Sequence, residues 1–319
     1  MRSRHTARFP VRSAVASLAL LAGCHRGGSV PLPSLGGAAA SRDSAALVAR
    51  GEYVVRSAAA CGQCHAEQDG ELDPDAPLTG GREFRDWRLG VVRASNLTPD
   101  SATGLGAWRD AEVVRAVRNG EAKDGRLLAP VMPYMWLHDM SDDDALAVAR
   151  YLRSLESVRS AVRQQPSVTF RIARALVLRP VSGGEARVVA PPRAPTAEYG
   201  GYLARHVSLC ADCHTARTGF QAAPDRRHLF AGDPHPSKMF PANPANITPD
   251  SATGIGRWSE DDFVRTLRTG VDPAGHKLNT FMPWPDYRRM TDDDLRAIYR
   301  YLRTVPPVRR AVPRRGELH

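Results

Sequence analysis

Apolar side chains recur at helical spacing in several parts of this sequence. Near the C-terminus, Leu295, Ile298 and Leu302 fall on one face of a predicted helix. Ser141 and Thr291 each precede three aspartates, the composition expected where a helix begins. No stretch alternates apolar and polar residues for long enough to predict a strand. The pattern therefore predicts an all-α fold.

The chain is internally duplicated. Residues 96–155 align with residues 246–305 without a gap, and about 27 of the 60 paired residues are identical. Each copy is predicted to contain three main helices. The first helix leads into a Cys-x-x-Cys-His motif, the second ends at Gly120 or Gly270, and the third begins at Ser141 or Thr291. The duplication therefore predicts two tandem modules of one fold.

The predicted segments are a signal peptide at 1–23, a flexible tether at 24–48, module 1 at 49–158, a linker at 159–197, module 2 at 198–309 and a tail at 310–319. The apolar part of the linker is predicted to be either a short helix or an extended strap.

The N-terminal segment has the features of an export signal. Basic residues between Arg2 and Arg12 precede the short apolar run AVASLALLA, which ends in LAGC. A small-residue pair before Cys24 is typical of bacterial lipoproteins, so we expect Cys24 to be lipidated; the alternative is ordinary secretory cleavage near Ala22. The predicted location is the periplasmic side of a bacterial membrane, lipid-anchored or else secreted into the periplasm.

The net charge of +10 does not indicate a nucleic-acid-binding protein. The arginines are scattered and usually interleaved with acidic residues, as in MTDDDLRAIYRYLR. We therefore expect no nucleic-acid partner.

Two motifs carry the candidate chemistry: CGQCH at residues 61–65 and CADCH at residues 210–214. Structural zinc would need a fourth ligand, and a redox dithiol of the thioredoxin type would accompany a βαβ pattern. Covalent haem needs two thiols at this spacing, followed by an imidazole for the iron. Two covalently bound haem c groups are the interpretation that we favour. The predicted thioether residues are Cys61, Cys64, Cys210 and Cys213, and the predicted proximal iron ligands are His65 and His214.

The duplication selects the residues for the other side of each iron. Beyond the motif histidines, no histidine occupies matching positions in both copies, whereas Met132 matches Met282 and Met140 matches Met290. The second pair stands just before a helix start, where an apolar residue has a packing role. We therefore expect Met132 and Met282 to be the distal ligands, with core packing as the alternative.

Other repeated residues have expected supporting roles. Trp108 and Trp258 are expected either to donate an indole N–H to a haem propionate or to be ordinary core residues. The aligned asparagines at 96 and 246 are expected to order the loops that follow them. Tyr53 and Tyr202 should pack the first helix against the last, and each motif histidine should donate its second N–H to a backbone carbonyl.

These motifs, together with the repeated N-[LI]-T-P-D, M-P-[YW] and [ST]-D-D-D sequences, resemble those of class I cytochromes c. More closely, both modules resemble the multihaem cytochrome subunits of bacterial membrane-associated alcohol and sugar-acid dehydrogenases. The resemblance implies that the motif cysteines carry haem, that His65 and His214 are proximal ligands, and that Met132 and Met282 are distal ligands.

The expected function is single-electron transfer between a dehydrogenase or quinol-linked donor and a respiratory acceptor. The expected partners are a dehydrogenase, a quinol-oxidising complex or a terminal oxidase, with membrane attachment through the lipid anchor. His/Met ligation raises the reduction potential of iron and leaves no open coordination position for a substrate. The alternatives are a dihaem enzyme such as a peroxidase and a redox-inactive haem lipoprotein.

Overall fold

A computed structural model of the chain describes residues 40–67, 73–182, 187–218, 223–235 and 242–314. The signal peptide and the lipidation predicted at Cys24 lie outside the described residues. Among the helices of the described ranges, none combines the length and the apolar character that crossing a bilayer requires.

Both modules are built around three principal helices. Module 1 contains α1 (Ala40–Tyr53), α2 (Gly62–His65), β1 (Glu83–Asp86), β2 (Gly90–Arg93), α3 (Asp110–Asn119), α4 (Tyr134–Leu137) and α5 (Asp142–Ser154). Helix α1 begins at Ala40, inside the segment predicted to be a flexible tether. The linker contributes β3 (Gln165–Pro166) and α6 (Val168–Leu176). Module 2 contains α7 (Ala197–Tyr202), α8 (Cys210–Cys213), β4 (Arg217–Thr218), β5 (Ala223–Pro224), α9 (Glu260–Thr269), α10 (Trp284–Tyr287) and α11 (Asp292–Leu302).

The prediction of an all-α chain is only partly confirmed, because five short strands accompany the helices. Strands β1, β2 and β3 form one antiparallel sheet, and β4 pairs with β5 in a second. At two to four residues, these strands are too short for an alternating pattern to be recognised. Pro166 in β3 is itself a residue that argues against a strand, yet an edge strand tolerates it. In the linker, the helix alternative is the one observed.

The predicted capping residues are the ones that begin and end the helices. Ser141 and Thr291 accept a hydrogen bond from the N–H group three residues on, at 3.2 Å in both helices. Ser259 and Asp262 form a reciprocal capping box at the start of α9. Gly120 and Gly270 end α3 and α9 with a φ of 68°, a left-handed conformation that favours glycine.

Two glycines allow the first and last helices of each module to cross closely. A Cβ atom at Gly51 would lie 2.0 Å from the carbonyl oxygen of Ala147, and one at Gly200 would lie 1.8 Å from that of Ala297. Any side chain at either position would therefore push α1 away from α5, or α7 away from α11. These crossings form the scaffold to which each Cys-x-x-Cys-His motif is attached.

The two modules share one hydrophobic core, and each module has one tyrosine that forms a hydrogen bond with the other module. The Tyr53 hydroxyl of α1 donates to Asp294 of α11, and the Tyr202 hydroxyl of α7 donates to Asp144 of α5 at 2.7 Å. Tyr53 and Tyr202 were expected to join helices, but each makes this bond with the last helix of the other module. The duplication therefore extends to a reciprocal interface.

One buried ion pair breaks the symmetry of this interface. Arg50 donates to both carboxylate oxygens of Asp144, at 2.7 and 2.8 Å. Burial acts to raise the pKa of Asp144, but these bonds hold that pKa below its ordinary value. In module 2, Tyr199 takes the place of Arg50, and Asp294 takes the place of Asp144. Burial raises the pKa of Asp294. The two equivalent aspartates thus have opposite pKa shifts.

This asymmetry predicts different effects for Asp144→Asn and Asp294→Asn. At pH 7, Asp144→Asn should lower the free energy of unfolding by about 3 to 5 kcal/mol, because it leaves the buried charge of Arg50 without its carboxylate. Since the folded-state pKa of Asp144 is lowered, its contribution is present above the unfolded-state pKa of about 3.9 and is lost as the pH falls further. The loss caused by Asp144→Asn should therefore shrink in acid.

Asp294→Asn is the matched control. It should leave the free energy of unfolding within about 1 kcal/mol of the wild type at pH 7, or raise it, because burial disfavours the ionised carboxylate. Urea unfolding between pH 3 and pH 8 measures both variants. Equal losses from the two substitutions would contradict the assignment of the ion pair as the source of asymmetry.

Candidate functional site

Each Cys-x-x-Cys-His motif follows an unusual backbone path. The α-helix gives way to a π-helical turn, over Val54–Ala58 in module 1 and Leu203–Val207 in module 2. Ala60 and Leu209 then adopt left-handed conformations, with φ values of 48° and 55°. Such conformations are strained for residues with a side chain and concentrate at functional sites. Sequence periodicity predicts one helix running into the motif and gives no sign of this turn.

The motif histidines are held in equivalent ways. His65 Nδ1–H donates to the carbonyl oxygen of Ser95 at 2.8 Å, and His214 Nδ1–H donates to that of Ala245 at 2.7 Å. Burial lowers the pKa of both imidazoles, which favours the neutral form. The Nε2 atom therefore carries the lone pair that a metal would take. The predicted hydrogen bond to a carbonyl is confirmed in both modules.

The four motif cysteines are free thiols, and each is half-buried. Burial raises the pKa of Cys61 and Cys210 to about 12, whereas a reactive redox dithiol has a lowered thiol pKa. Across the described ranges, no three His, Cys, Asp or Glu side chains converge as ligands of one metal ion. Two neutral thiols and one oriented imidazole on a single turn fit a haem, which takes the sulfurs at its edge and the nitrogen at its iron.

Asparagines fix the carbonyls that hold these histidines. Asn96 follows Ser95 and is buried; its side chain donates to the Val158 carbonyl at 2.8 Å and accepts from the N–H of Thr98 at 2.9 Å. Asn246 repeats the arrangement, donating to Val308 at 2.7 Å. The expected role of the asparagines in ordering the loop is confirmed.

The four repeated methionines differ in burial. Met140 and Met290 are 1% and 2% exposed and lie in the core just before a helix N-terminus. Met132 and Met282 are only partly buried, in loops that lead into α4 and α10. A sulfur that is to bind iron must not be enclosed by protein on every side, so Met132 and Met282 are the pair that suits a distal ligand. Their role as ligands stays a prediction.

The predicted propionate donors, Trp108 and Trp258, pack against the shared core, and their role also stays a prediction. Two further groups in module 2 were not predicted from the sequence. Among the described residues, the buried atoms Trp284 Nε1 and Ser208 Oγ find no hydrogen-bond partner. In the sequence they lie two residues from Met282 and Cys210, and a ligand with acceptor oxygens, such as the carboxylates of haem, could accept from them.

A matched pair of arginines was also missed. Arg56 and Arg205 occupy the same position of the two π-helical turns. Arg56 is 8% exposed; it donates to the Tyr151 hydroxyl at 2.9 Å and to the Ala76 carbonyl at 2.7 Å. Its charge acts to lower the pKa of Cys61, against the larger effect of burial. The signal that would have identified the pair is an arginine repeated within an apolar segment.

Each motif lies beside the methionine loop of the other module. Gln63, inside the first motif, donates to the carbonyls of Thr280 and Phe281 at 3.4 and 3.2 Å, directly before Met282. In the reciprocal contact, α4 packs against the π-helical turn of module 2, where His206 Nδ1–H donates to a carbonyl of α4 at 3.0 Å. The two candidate sites therefore share the module interface.

Comparisons with known proteins agree with this site. The family model for cytochrome c matches residues 48–156 and 204–306. The cytochrome c subunit of alcohol dehydrogenase (quinone) from Gluconobacter oxydans (strain 621H) is 30% identical over 86% of this chain and 58% of its own length. The gluconate 2-dehydrogenase cytochrome c subunit of Pantoea cypripedii is 31% identical over 86% of this chain and 63% of its own length.

A third relative is matched over more of its length. A diheme cytochrome c-type protein of Cereibacter sphaeroides is 27% identical over 81% of this chain and 86% of its own length. The chain spans less than two thirds of the two dehydrogenase subunits. The resemblance expected from the sequence motifs is confirmed.

The loop asparagine provides a test of the site. Asn96→Ala should lower the free energy of unfolding by about 2 to 4 kcal/mol, because it leaves several buried polar groups without partners. The matched control is Asn119→Ala, which removes one half-buried bond to the Val181 carbonyl and should cost about 1 kcal/mol. Urea unfolding of the two variants decides the comparison, and equal costs would argue against a special role for the Asn96 loop.

Proposed function

We propose that this chain, which belongs to the cytochrome c family, is an extracytoplasmic carrier of single electrons with two covalently bound haem c groups. The observation that supports this function best is that both modules present the same donor set at one shared interface. In each module, a helical turn holds two neutral thiols and an imidazole fixed by a carbonyl. A dihaem enzyme would instead need one site that differs from the other by an open coordination position.

When bound, each haem supplies an iron that gains and loses one electron. The chain's own residues are proposed to fix its surroundings. His65 with Met132, and His214 with Met282, would hold the two irons and would leave no coordination position for a substrate. A methionine sulfur as iron ligand raises the reduction potential, and an iron whose positions are all filled cannot bind a substrate. This arrangement favours a carrier over a peroxidase.

The arrangement of the modules also supports a carrier. A direct hydrogen bond from Gln63 to the Phe281 carbonyl, just before Met282, joins the first motif to the second module. Electrons are therefore proposed to enter at one module and leave from the other, and the fixed interface keeps the separation of the two sites constant.

The names of the relatives suggest the partners. Two of them are cytochrome c subunits of alcohol and gluconate dehydrogenases. We propose that the donor of this chain is a dehydrogenase or a quinol-linked complex and that the acceptor is a respiratory protein such as a terminal oxidase. Lipidation at Cys24 is proposed to hold the chain at the periplasmic side of a bacterial membrane.

A spectro-electrochemical titration tests the proposal. The wild type should show two one-electron transitions and a Met–iron charge-transfer band. Met132→Ala and Met282→Ala should each remove half of that band and lower one potential by roughly 0.1 V or more, since axial ligands set haem potentials over about 0.8 V.

Met135→Ala is the matched control, because this methionine lies three residues after Met132, in α4, and is 45% exposed. It should leave both the band and the two potentials unchanged. The ligand assignment is wrong if Met132→Ala and Met282→Ala behave like Met135→Ala. The whole proposal fails if the mature chain carries no covalent porphyrin when its mass is measured.

A further inference from the structure

Helix α6 of the linker presents an apolar stripe to solvent. Val168, Ile172 and Leu176 are spaced four residues apart, so they lie along one face, and they are 69%, 55% and 70% exposed. Phe170, on the opposite face, is 5% exposed. The apolar stripe is therefore exposed to solvent, and Val168 and Ile172 of the stripe also line a groove next to α6.

This helix is held in a fixed place. Its N-cap, Ser167, accepts from the N–H of Phe170 at 3.0 Å and donates its own N–H to the Leu89 carbonyl at 2.9 Å. The preceding strand β3 pairs with β2. Trp87, in the turn between β1 and β2, is 73% exposed next to this anchor. The outward stripe is thus a fixed feature of the surface, and an exposed tryptophan lies near one end of it.

The part of the sequence that contains the apolar stripe carries only positive charges. Between Glu156 and Glu185 the chain contains five arginines and no acidic residue, and three of the arginines lie within or directly after α6. Such a helix, apolar on one side and rich in arginine, is typical of segments that lie in the surface of a membrane. The positive charge would attract anionic lipid headgroups.

A groove beside α6 places further charge at the same surface. It has a volume of about 750 Å³ and lies between α6 and the loop at Asp124–Leu127. Arginines 126, 171, 174 and 179 line it. Asp124, the only acidic residue among the described residues that line it, is paired with Arg126 at 3.1 Å. The groove therefore has an excess of guanidinium groups, which suit phosphate oxygens.

From these observations we infer that helix α6 lies in the surface of a bilayer containing anionic phospholipids. The apolar stripe enters the acyl-chain boundary, while the arginines of the groove contact lipid phosphates. This contact is separate from the acyl chains proposed at Cys24 and would hold the body of module 1 against the membrane in one orientation. It deepens the membrane attachment given under the proposed function and does not depend on the identity of the redox partners.

Vesicle flotation of the haem-loaded chain tests this inference. The mature chain is exported behind a cleavable signal peptide and carries Cys24→Ser, so that no acyl chain contributes to binding. It should bind vesicles that contain phosphatidylglycerol at least about tenfold more tightly than vesicles of phosphatidylcholine alone. Ile172→Glu should weaken the binding by about tenfold or more, because it places a charge in the apolar stripe.

Val189→Glu is the matched control, since Val189 is 69% exposed but lies outside α6. It should bind like the wild type. Leu176→Gln is a milder second variant, which should weaken binding less than Ile172→Glu. Haem absorbance per mass of protein confirms that each variant has folded.

The inference is overturned if the wild type does not float with anionic vesicles, or if Ile172→Glu and Val189→Glu bind equally. It is also overturned if Ile172→Glu instead separates a dimer in solution, because the stripe would then be covered by a second copy. Since the redox titration needs no vesicles, failure of the membrane contact would leave the electron-transfer proposal intact.

Discussion

The hydrogen bond from each motif histidine to a backbone carbonyl is the interaction on which the rest of the site depends. It selects the tautomer, fixes the plane of the imidazole and leaves the lone pair on Nε2 available to a metal. The carbonyls of Ser95 and Ala245 can do this only because the asparagine that follows each of them is locked into the neighbouring loop. That loop is in turn bonded to the segment after the last helix, through Val158 and Val308.

The duplication explains why this support extends across the whole molecule. Each module uses its last helix twice, once to cross its own first helix and once to receive a tyrosine from the other module. The scaffold behind each candidate site is therefore supported by a contact from the other module. Because the interface contains buried polar groups as well as apolar ones, separating the modules would expose carboxylates and hydroxyls that are now paired.

Local features of the sequence predict much of this arrangement. The caps at Ser141 and Thr291, the glycine stops and the loop asparagines are short-range signals, and the duplication confirms each of them independently. The strands and the π-helical turns escape prediction, because they span five residues or fewer and are stabilised by tertiary contacts. The bonds of Tyr53 and Tyr202 to the other module cannot be predicted for a different reason. Periodicity identifies which face of a helix is buried, but not which module covers that face.

The two copies differ most informatively at the interface. Arg50 is paired with Tyr199 in the alignment, and Trp136 with Asp286, although the motif and methionine residues are retained in both modules. Burial raises the pKa of Asp286 to about 6, so this carboxylate is still largely ionised at pH 7, and its charge acts on Cys61 of the other module. No carboxylate occupies the equivalent position in module 1. The interface charges therefore give the two candidate sites different electrostatic surroundings, although their motif and methionine residues are the same.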